Sequence, residues 1–298
     1  MASSSDRADF TIRPRLEQEA FDRLRELVLA SGGIDLGLYK DRCVLRRLAV
    51  RQRACGAVDL RSYLKVVAHD PVERDRLVRA LTIHVSQFFR NPATFEIIRT
   101  FVLPDLLAAK SRAGGRAIRF WSAGCACGEE AYSLAILLLE ANPATRGKFS
   151  CSVYATDIEP ECLRVAEKGT YGPASLLAVP PRLRQRYFQP ADERFQVVPA
   201  LRQIVYFKLH NILTPPPFRR IDLLLFRNVL IYMSESLQRK VLALLHDALN
   251  LGGYLVLGKV ENLPDASRAL FSPVNIAERI YRRVEPDPGA RSRSEREG

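Results

Sequence analysis

An α/β fold built on a mostly parallel, doubly wound sheet is predicted for the larger C-terminal part of the chain, with an all-helical domain before it and a small antiparallel β insertion within it. Three observations predict this. From about residue 117 apolar strands alternate with helical stretches, the rhythm of parallel strands joined by crossover helices. Residues 221–226, Ile-Asp-Leu-Leu-Leu-Phe, are almost wholly apolar, as a strand covered on both faces must be. The first strand runs into a glycine-bounded turn, Gly124-Cys125-Ala126-Cys127-Gly128, just before a helix, and glycine lets backbone approach a ligand closely there.

Each element has its own signal. Helices are expected over about 15–31, ended by Gly32-Gly33, over 37–53, ended at Gly56, over 59–68, and again after Asp70-Pro71. The second carries Val44, Leu45, Leu48 and Ala49 on one face, with Arg42, Arg46 and Arg53 on one flank and Arg47 and Arg51 on the other. Asn91-Pro92 opens a helix over about 93–110. Strands at 117–121 and 151–156 alternate with helices over 129–141 and 159–168, and Ser234 caps a helix running to about 250 before a strand at 254–257. Between 169 and 207 prolines break the rhythm, and the short runs 187–188, 195–198 and 204–207 predict the antiparallel insertion, at about 180–207. The expected domains are therefore 1–80, 81–284 and a disordered tail, 285–298, too poor in apolar residues to fold.

Composition narrows the function classes. With 47% hydrophobic and 26% charged residues the chain of 298 is an ordinary globular protein, not collagen-like, coiled-coil or disordered. No apolar run is long enough to span a bilayer, and Met1-Ala2-Ser3-Ser4-Ser5-Asp6 lacks the order of a secretory signal. A cytosolic protein with six free thiols and no membrane insertion is expected. Cys125 and Cys127 are too few for a zinc site, so no metal is expected. The formal charge of +12 attracts anionic partners and lies in the body of the protein, +4 within 1–80 and +9 within 81–284.

The turn at 124–128 lacks the G-x-G-x-x-G order, and Glu129-Glu130 puts carboxylates where a pyrophosphate would need to bind. That suits a cofactor without phosphate but with a cationic centre, as S-adenosylmethionine has. Asp157, at the end of the next strand, is placed to accept hydrogen bonds from ribose hydroxyls.

Four motifs in register are similar to one family. Residues 120–133 (Phe-Trp-Ser-Ala-Gly-Cys-Ala-Cys-Gly-Glu-Glu-Ala-Tyr-Ser), Ala155-Thr156-Asp157-Ile158, residues 226–232 (Phe-Arg-Asn-Val-Leu-Ile-Tyr) and Gly258-Lys259-Val260-Glu261-Asn262 resemble the chemotaxis receptor methyltransferases, the CheR family, as does the stretch 81–90. The resemblance implies a class I methyltransferase domain using S-adenosylmethionine and releasing S-adenosylhomocysteine, with glutamate side chains of chemoreceptor cytoplasmic helices as substrates. It implies that His84, Ser86 and Arg90 line the cofactor site, that Gly124 is among the cofactor-binding residues, that Glu129 holds the methionyl amino group, that Asp157 holds the ribose, that Asn211 and Ile212 surround the adenine, and that Arg227 and Asn228 form the strand-end wall. Arg90 and Tyr232 lie at the transferring methyl in this scheme, and Arg42, Arg46, Arg47, Arg51 and Arg53 contact the receptor.

The family usually carries Asn and Thr where His84 and Ser86 stand, and Ser where Val260 stands. Members that grip a pentapeptide tether at the receptor C-terminus have a Gly-rich turn where this chain has Gln189-Pro190-Ala191-Asp192-Glu193-Arg194. A tether-independent, monomeric enzyme is therefore expected. A nucleic-acid methyltransferase would account for the charge, but no Asp/Asn-Pro-Pro-Tyr/Phe element is present; Pro215-Pro216-Pro217-Phe218 lacks the polar first residue. A non-catalytic adaptor would have no use for Arg90, Glu129, Asp157 and Tyr232 together.

Overall fold

The computed structural model describes residues 15–32, 34–81, 86–141 and 148–285. The chain divides into two compact units, one of residues 1–83 with Tyr232–Ser234, the other of His84–Ile231 with Glu235–Gly298. The predicted tail from 286 onward and His84 lie outside the described residues.

In the first unit α1 (Arg15–Gly32), α2 (Asp41–Ala54), α3 (Leu60–His69) and α4 (Pro71–Leu81) pack through Leu24, Val28, Val44, Leu48, Tyr63, Val67 and Leu77, all buried. The second predicted helix starts later than expected. Asp35 accepts from Gly37 N at 2.9 Å and closes a short 3₁₀ turn, Leu36–Leu38, that delays α2 to Asp41. A capping box between Asp59 and Ser62 starts α3. Tyr232–Ser234 complete this unit: Lys40 N donates to Tyr232 O and Ser234 N to Leu38 O, each at 2.9 Å.

The second unit opens with α5 (Pro92–Ile97) and α6 (Leu103–Arg112), separated by a π turn, Ile98–Val102. Pro104 cannot donate to the helical ladder, and Leu103 N reaches back to Ile98 O, so the single helix expected over 93–110 carries a bulge. There follow β1 (Ala117–Ala123), α7 (Glu129–Glu140), β2 (Ser150–Asp157), α8 (Pro160–Lys168), β3 (Thr170–Tyr171), α9 (Pro181–Tyr187), β4 (Phe188–Ala191), β5 (Arg194–Val197), α10 (Pro199–Arg202), β6 (Val205–Leu209), β7 (Ile221–Phe226), α11 (Glu235–Ala248), β8 (Leu249–Leu257), β9 (Phe271–Asn275) and β10 (Ile280–Arg283).

The main sheet has the order β6-β2-β1-β7-β8-β10-β9, parallel from β6 to β8 and antiparallel at β10 and β9. The chain leaves β1 toward β2 on one side and returns to β7 on the other, so the sheet's switch point lies at the C-terminal ends of β1 and β7. Every residue of β7 is buried. Its one acid, Asp222, is tolerated because it accepts from Arg119 N at 2.9 Å and pairs with Lys110 at 2.8 Å.

The small antiparallel sheet exists, but its strands differ from those expected. Its order is β3-β5-β4, and the run at 204–207 belongs instead to β6, which joins the main sheet parallel to β2. The insertion takes its third strand from Thr170–Tyr171, before the proline-rich stretch. Phe88 fixes this sheet to the core, its ring meeting Tyr171 and Phe188 edge-on at 4.9 and 5.0 Å. β9 and β10 are not among the strands predicted from the sequence.

Candidate functional site

The turn between β1 and α7 is built by a backbone that bends three times into the left-handed region, at Gly124 (φ 74°), Ala126 (φ 47°) and Gly128 (φ 92°). Glycine is required at 128: a Cβ there would come within 2.7 Å of Ala166 Cβ and 3.1 Å of the Tyr171 hydroxyl. The end of β2 holds the turn in place. Gly124 N and Cys125 N donate to Thr156 O at 2.8 and 2.9 Å, and Ala126 N donates to Asp157 Oδ2 at 2.8 Å.

Asp157 is thus a scaffold as well as a strand-end acid, since its Oδ1 also accepts from Glu159 N at 3.0 Å. His210 N donates to Asp157 O at 2.9 Å, which brings Asn211 and Ile212, both half-buried, to the same sheet edge. Asn211 Oδ1 accepts from Leu213 N at 3.0 Å, an Asx turn that fixes the loop after β6.

The two acids that open α7 have separate fates. Glu130 accepts from Ser122 Oγ at 2.8 Å and pairs with Arg227 at 3.1 Å. Glu129 is buried, and its Oε2 has no hydrogen-bond partner among the described residues. Burial pushes its carboxyl above the ordinary carboxylate range, against the opposing pull of its own backbone N–H and the Ser86 hydroxyl. A buried carboxylate oxygen with an open valence is costly unless a donor fills it. The ammonium of an amino-acid cofactor is such a donor, so Glu129, Ser86 and the phosphate-excluding turn fit S-adenosylmethionine.

Arg227 is a clamp rather than an open wall residue. Buried and over the Phe95 ring, it donates to Arg90 O and Asn91 Oδ1, each at 2.8 Å, besides pairing with Glu130. Phe89 N donates to Ser133 Oγ at 2.9 Å, so α7 and Arg227 together fix the backbone of Phe89–Asn91. Phe89, Asn91 and Asn228 all have positive φ, at 52°, 62° and 62°. Non-glycine residues held this way gather at functional sites.

Glu261 stands in one of the four motifs, and the sequence assigns it no role. Buried, it accepts from Asn228 N at 2.9 Å, Gly258 N at 2.5 Å and Ile231 N at 3.3 Å, stapling the loop after β7 to the end of β8. No local spacing announces this contact; only the adjacency of β7 and β8 creates it.

The arginines separate as well. Arg42, Arg46 and Arg53 are exposed. Arg51 is instead spent on the buried Glu73, which also accepts from the Tyr63 hydroxyl at 2.8 Å. Arg47 donates to Leu81 O and lies 4.6 Å over the Tyr232 ring, so the half-buried arginines of this flank have partners within the helical unit. Arg47 and Arg51, expected to contact the receptor, are thus both engaged within the helical unit. Tyr232 itself groups with the helical unit, whereas Ser86, Arg90, Gly124, Glu129, Asp157, Asn211, Ile212, Arg227 and Asn228 belong to the other. Among the described residues no cluster of three or more His, Cys, Asp or Glu side chains could hold a metal ion.

A doubly wound sheet whose switch point carries a glycine turn and an open buried acid defines a class, the S-adenosylmethionine-dependent methyltransferases. Comparison with known proteins gives the family. The model of the CheR methyltransferase SAM-binding domain matches residues 84–280 and that of its all-alpha domain matches 19–82, so the chain belongs to the CheR methyltransferase family. It is 30% identical over 262 residues to a probable chemotaxis protein methyltransferase of Rhizobium etli, covering 86% of this chain and 97% of that one. It is 33% identical to chemotaxis protein methyltransferase 1 of Pseudomonas aeruginosa, over 82% of this chain and 92% of that one. An uncharacterized 104.1 kDa protein of Rhodobacter capsulatus is 35% identical over 90% of this chain, which spans 28% of that protein's length.

Proposed function

We propose that this protein methylates glutamate side-chain carboxylates on the cytoplasmic helices of chemoreceptors, for sensory adaptation, and that it works in the cytoplasm as a monomer without a receptor pentapeptide tether. The observation that carries the reading is the match to both the SAM-binding and all-alpha domains of one methyltransferase family, together with relatives matched over more than nine-tenths of their own length that are named for chemotaxis. The absence of glycine from the β4–β5 hairpin, where Asp192 takes φ 52° in a tight turn, supports tether independence. No described helix is long and apolar enough to cross a membrane.

When bound, S-adenosylmethionine supplies an electrophilic methyl group on a sulfonium. The receptor glutamate needs no activation, since a carboxyl with a pKa of about 4.3 is already a nucleophile at neutral pH. The protein's task is therefore positioning and exclusion of water. Glu129 and Ser86 seat the amino end, Asp157 the ribose, and Asn211 and Ile212 the adenine, with Gly124 in the turn that faces the cofactor and Asn228 walling the strand ends. Arg227 acts through the backbone of Arg90 and Asn91. Arg90 and Tyr232 are orienting groups, not acid or base. The exposed Arg42, Arg46 and Arg53 attract the acidic receptor helix.

The test is transfer of labelled methyl from S-adenosylmethionine to receptor-containing membranes, followed by mild alkali. Receptor-sized label released as volatile methanol is expected, since a carboxyl methyl ester hydrolyses in base. Alkali-stable label, or label on nucleic acid, would overturn the substrate assignment.

A further inference from the structure

The reaction uses no thiol, yet two thiols meet at the cofactor turn. Cys127 is the residue before Gly128 and Cys162 lies in the first turn of α8, with the two sulfurs 3.3 Å apart and both free. Cys127 is half-buried and Cys162 is 8% exposed, so a small oxidant has access from the Cys127 side. The chain is held on both sides of Cys127. Its own carbonyl accepts from the Tyr171 hydroxyl at 2.7 Å, Ala126 N is tied to Asp157, and Gly128 is in close packing with Ala166.

The chemistry of the pair differs from that of its neighbours. Hydrogen bonding with Cys162 holds the Cys127 thiol below its ordinary range, despite the nearby Glu129, Asp157 and Glu159. Burial pushes Cys125 and Cys151 the other way. The thiolate is the reacting form, and Cys127 is the more exposed of the two sulfurs, so it is the one that meets the oxidant.

We propose that Cys127 and Cys162 are an oxidation site, a dithiol that a hydroperoxide converts to a disulfide and that thereby switches off cofactor binding. The Cys127 thiolate attacks a peroxide oxygen and the O–O bond breaks, leaving a sulfenic acid and water or an alcohol. The Cys162 sulfur then attacks the Cys127 sulfur, an S–S bond forms, and hydroxide leaves as water with the Cys162 proton. Two thiols are oxidised by two electrons and one hydroperoxide is reduced; a dithiol reductant reverses the change. An S–S bond of about 2.05 Å requires the sulfurs to close by more than 1 Å. Leu163 and Ala166 anchor α8 in the core and the turn is tied to β2, so closing the bond strains the packing around Gly128, at the start of the helix that carries Glu129. The bond itself is independent of the methyltransferase reading, whereas its effect on cofactor binding rests on that reading.

The whole chain, reduced or treated with hydrogen peroxide, is alkylated, digested and mapped by mass spectrometry, and its affinity for S-adenosylhomocysteine is measured by calorimetry. A Cys127–Cys162 crosslink 2 Da lighter than the paired thiol peptides is expected, with at least tenfold weaker binding that dithiothreitol restores. Cys162→Ser and Cys162→Ala, which cannot form the bond, should keep their affinity within twofold under the same peroxide. No crosslink between these residues, a crosslink without loss of affinity, or equal loss in the Cys162 variants would overturn the proposal. Crosslinking in a protein that binds no S-adenosylhomocysteine even when reduced would overturn the cofactor reading and the switch with it, while leaving the dithiol chemistry standing.

Discussion

Glu129 shows how a single side chain carries both function and cost. Its carboxylate is buried with one oxygen unpartnered among the described residues, and burial raises its pKa above the ordinary 4.5. Because the folded state holds the proton more tightly than the unfolded chain, this group favours folding below the unfolded pKa, and that contribution is lost as pH rises through the folded value. Cofactor binding runs the opposite way, since the ammonium needs the carboxylate. Affinity for S-adenosylhomocysteine should therefore weaken as pH falls through the raised pKa, starting above the range of an ordinary glutamate, and calorimetric titration across pH would show it. Glu129→Gln removes the buried charge while keeping the shape. It should stabilise the apo protein by about 1 kcal/mol in thermal melts. Arg51→Ala, by contrast, leaves Glu73 charged in the helical core and should cost about 3 kcal/mol, with Arg46→Ala near neutral in the same denaturant titration.

At the scale of elements the turn from β1 to α7 is the most constrained piece of the fold. Gly128→Ala would force a Cβ onto Ala166 at φ 92°, and should destabilise by more than about 1 kcal/mol and abolish cofactor binding, both readable on purified protein. Glu261→Ala strips several backbone N–H groups of their acceptor and should cost about 2 kcal/mol, with faster hydrogen exchange at Asn228 and Gly258. The turn was legible because strand, glycine and helix follow one another along the chain. Glu261 was not, because two of its partners, Asn228 and Ile231, lie 33 and 30 residues away in the loop after β7. The run at 204–207 was misassigned for a related reason: β-branched and aromatic residues report a strand but not which sheet it joins. Arg47 and Arg51 were assigned to a surface because a helical wheel shows a flank without showing that Glu73 and Leu81 O cover it.

Across the whole molecule, a helical unit and a doubly wound unit divide the work proposed here between substrate and cofactor. The charge of +12 would draw an acidic receptor helix to the protein, so receptor methylation should fall with rising ionic strength while S-adenosylhomocysteine affinity changes little. Reversing Arg46 and Arg53 to glutamate should lower receptor methylation at least tenfold and leave cofactor affinity unaltered; equal loss of both would remove the recognition role. The most direct test of the central claim, that the open acid at the start of α7 seats the cofactor's ammonium, is calorimetric titration of S-adenosylhomocysteine into the wild-type protein and Glu129→Gln. The account predicts saturable one-to-one binding by the wild type and affinity at least about tenfold weaker in the variant, with the fold intact. Equal affinity in the two proteins would contradict it.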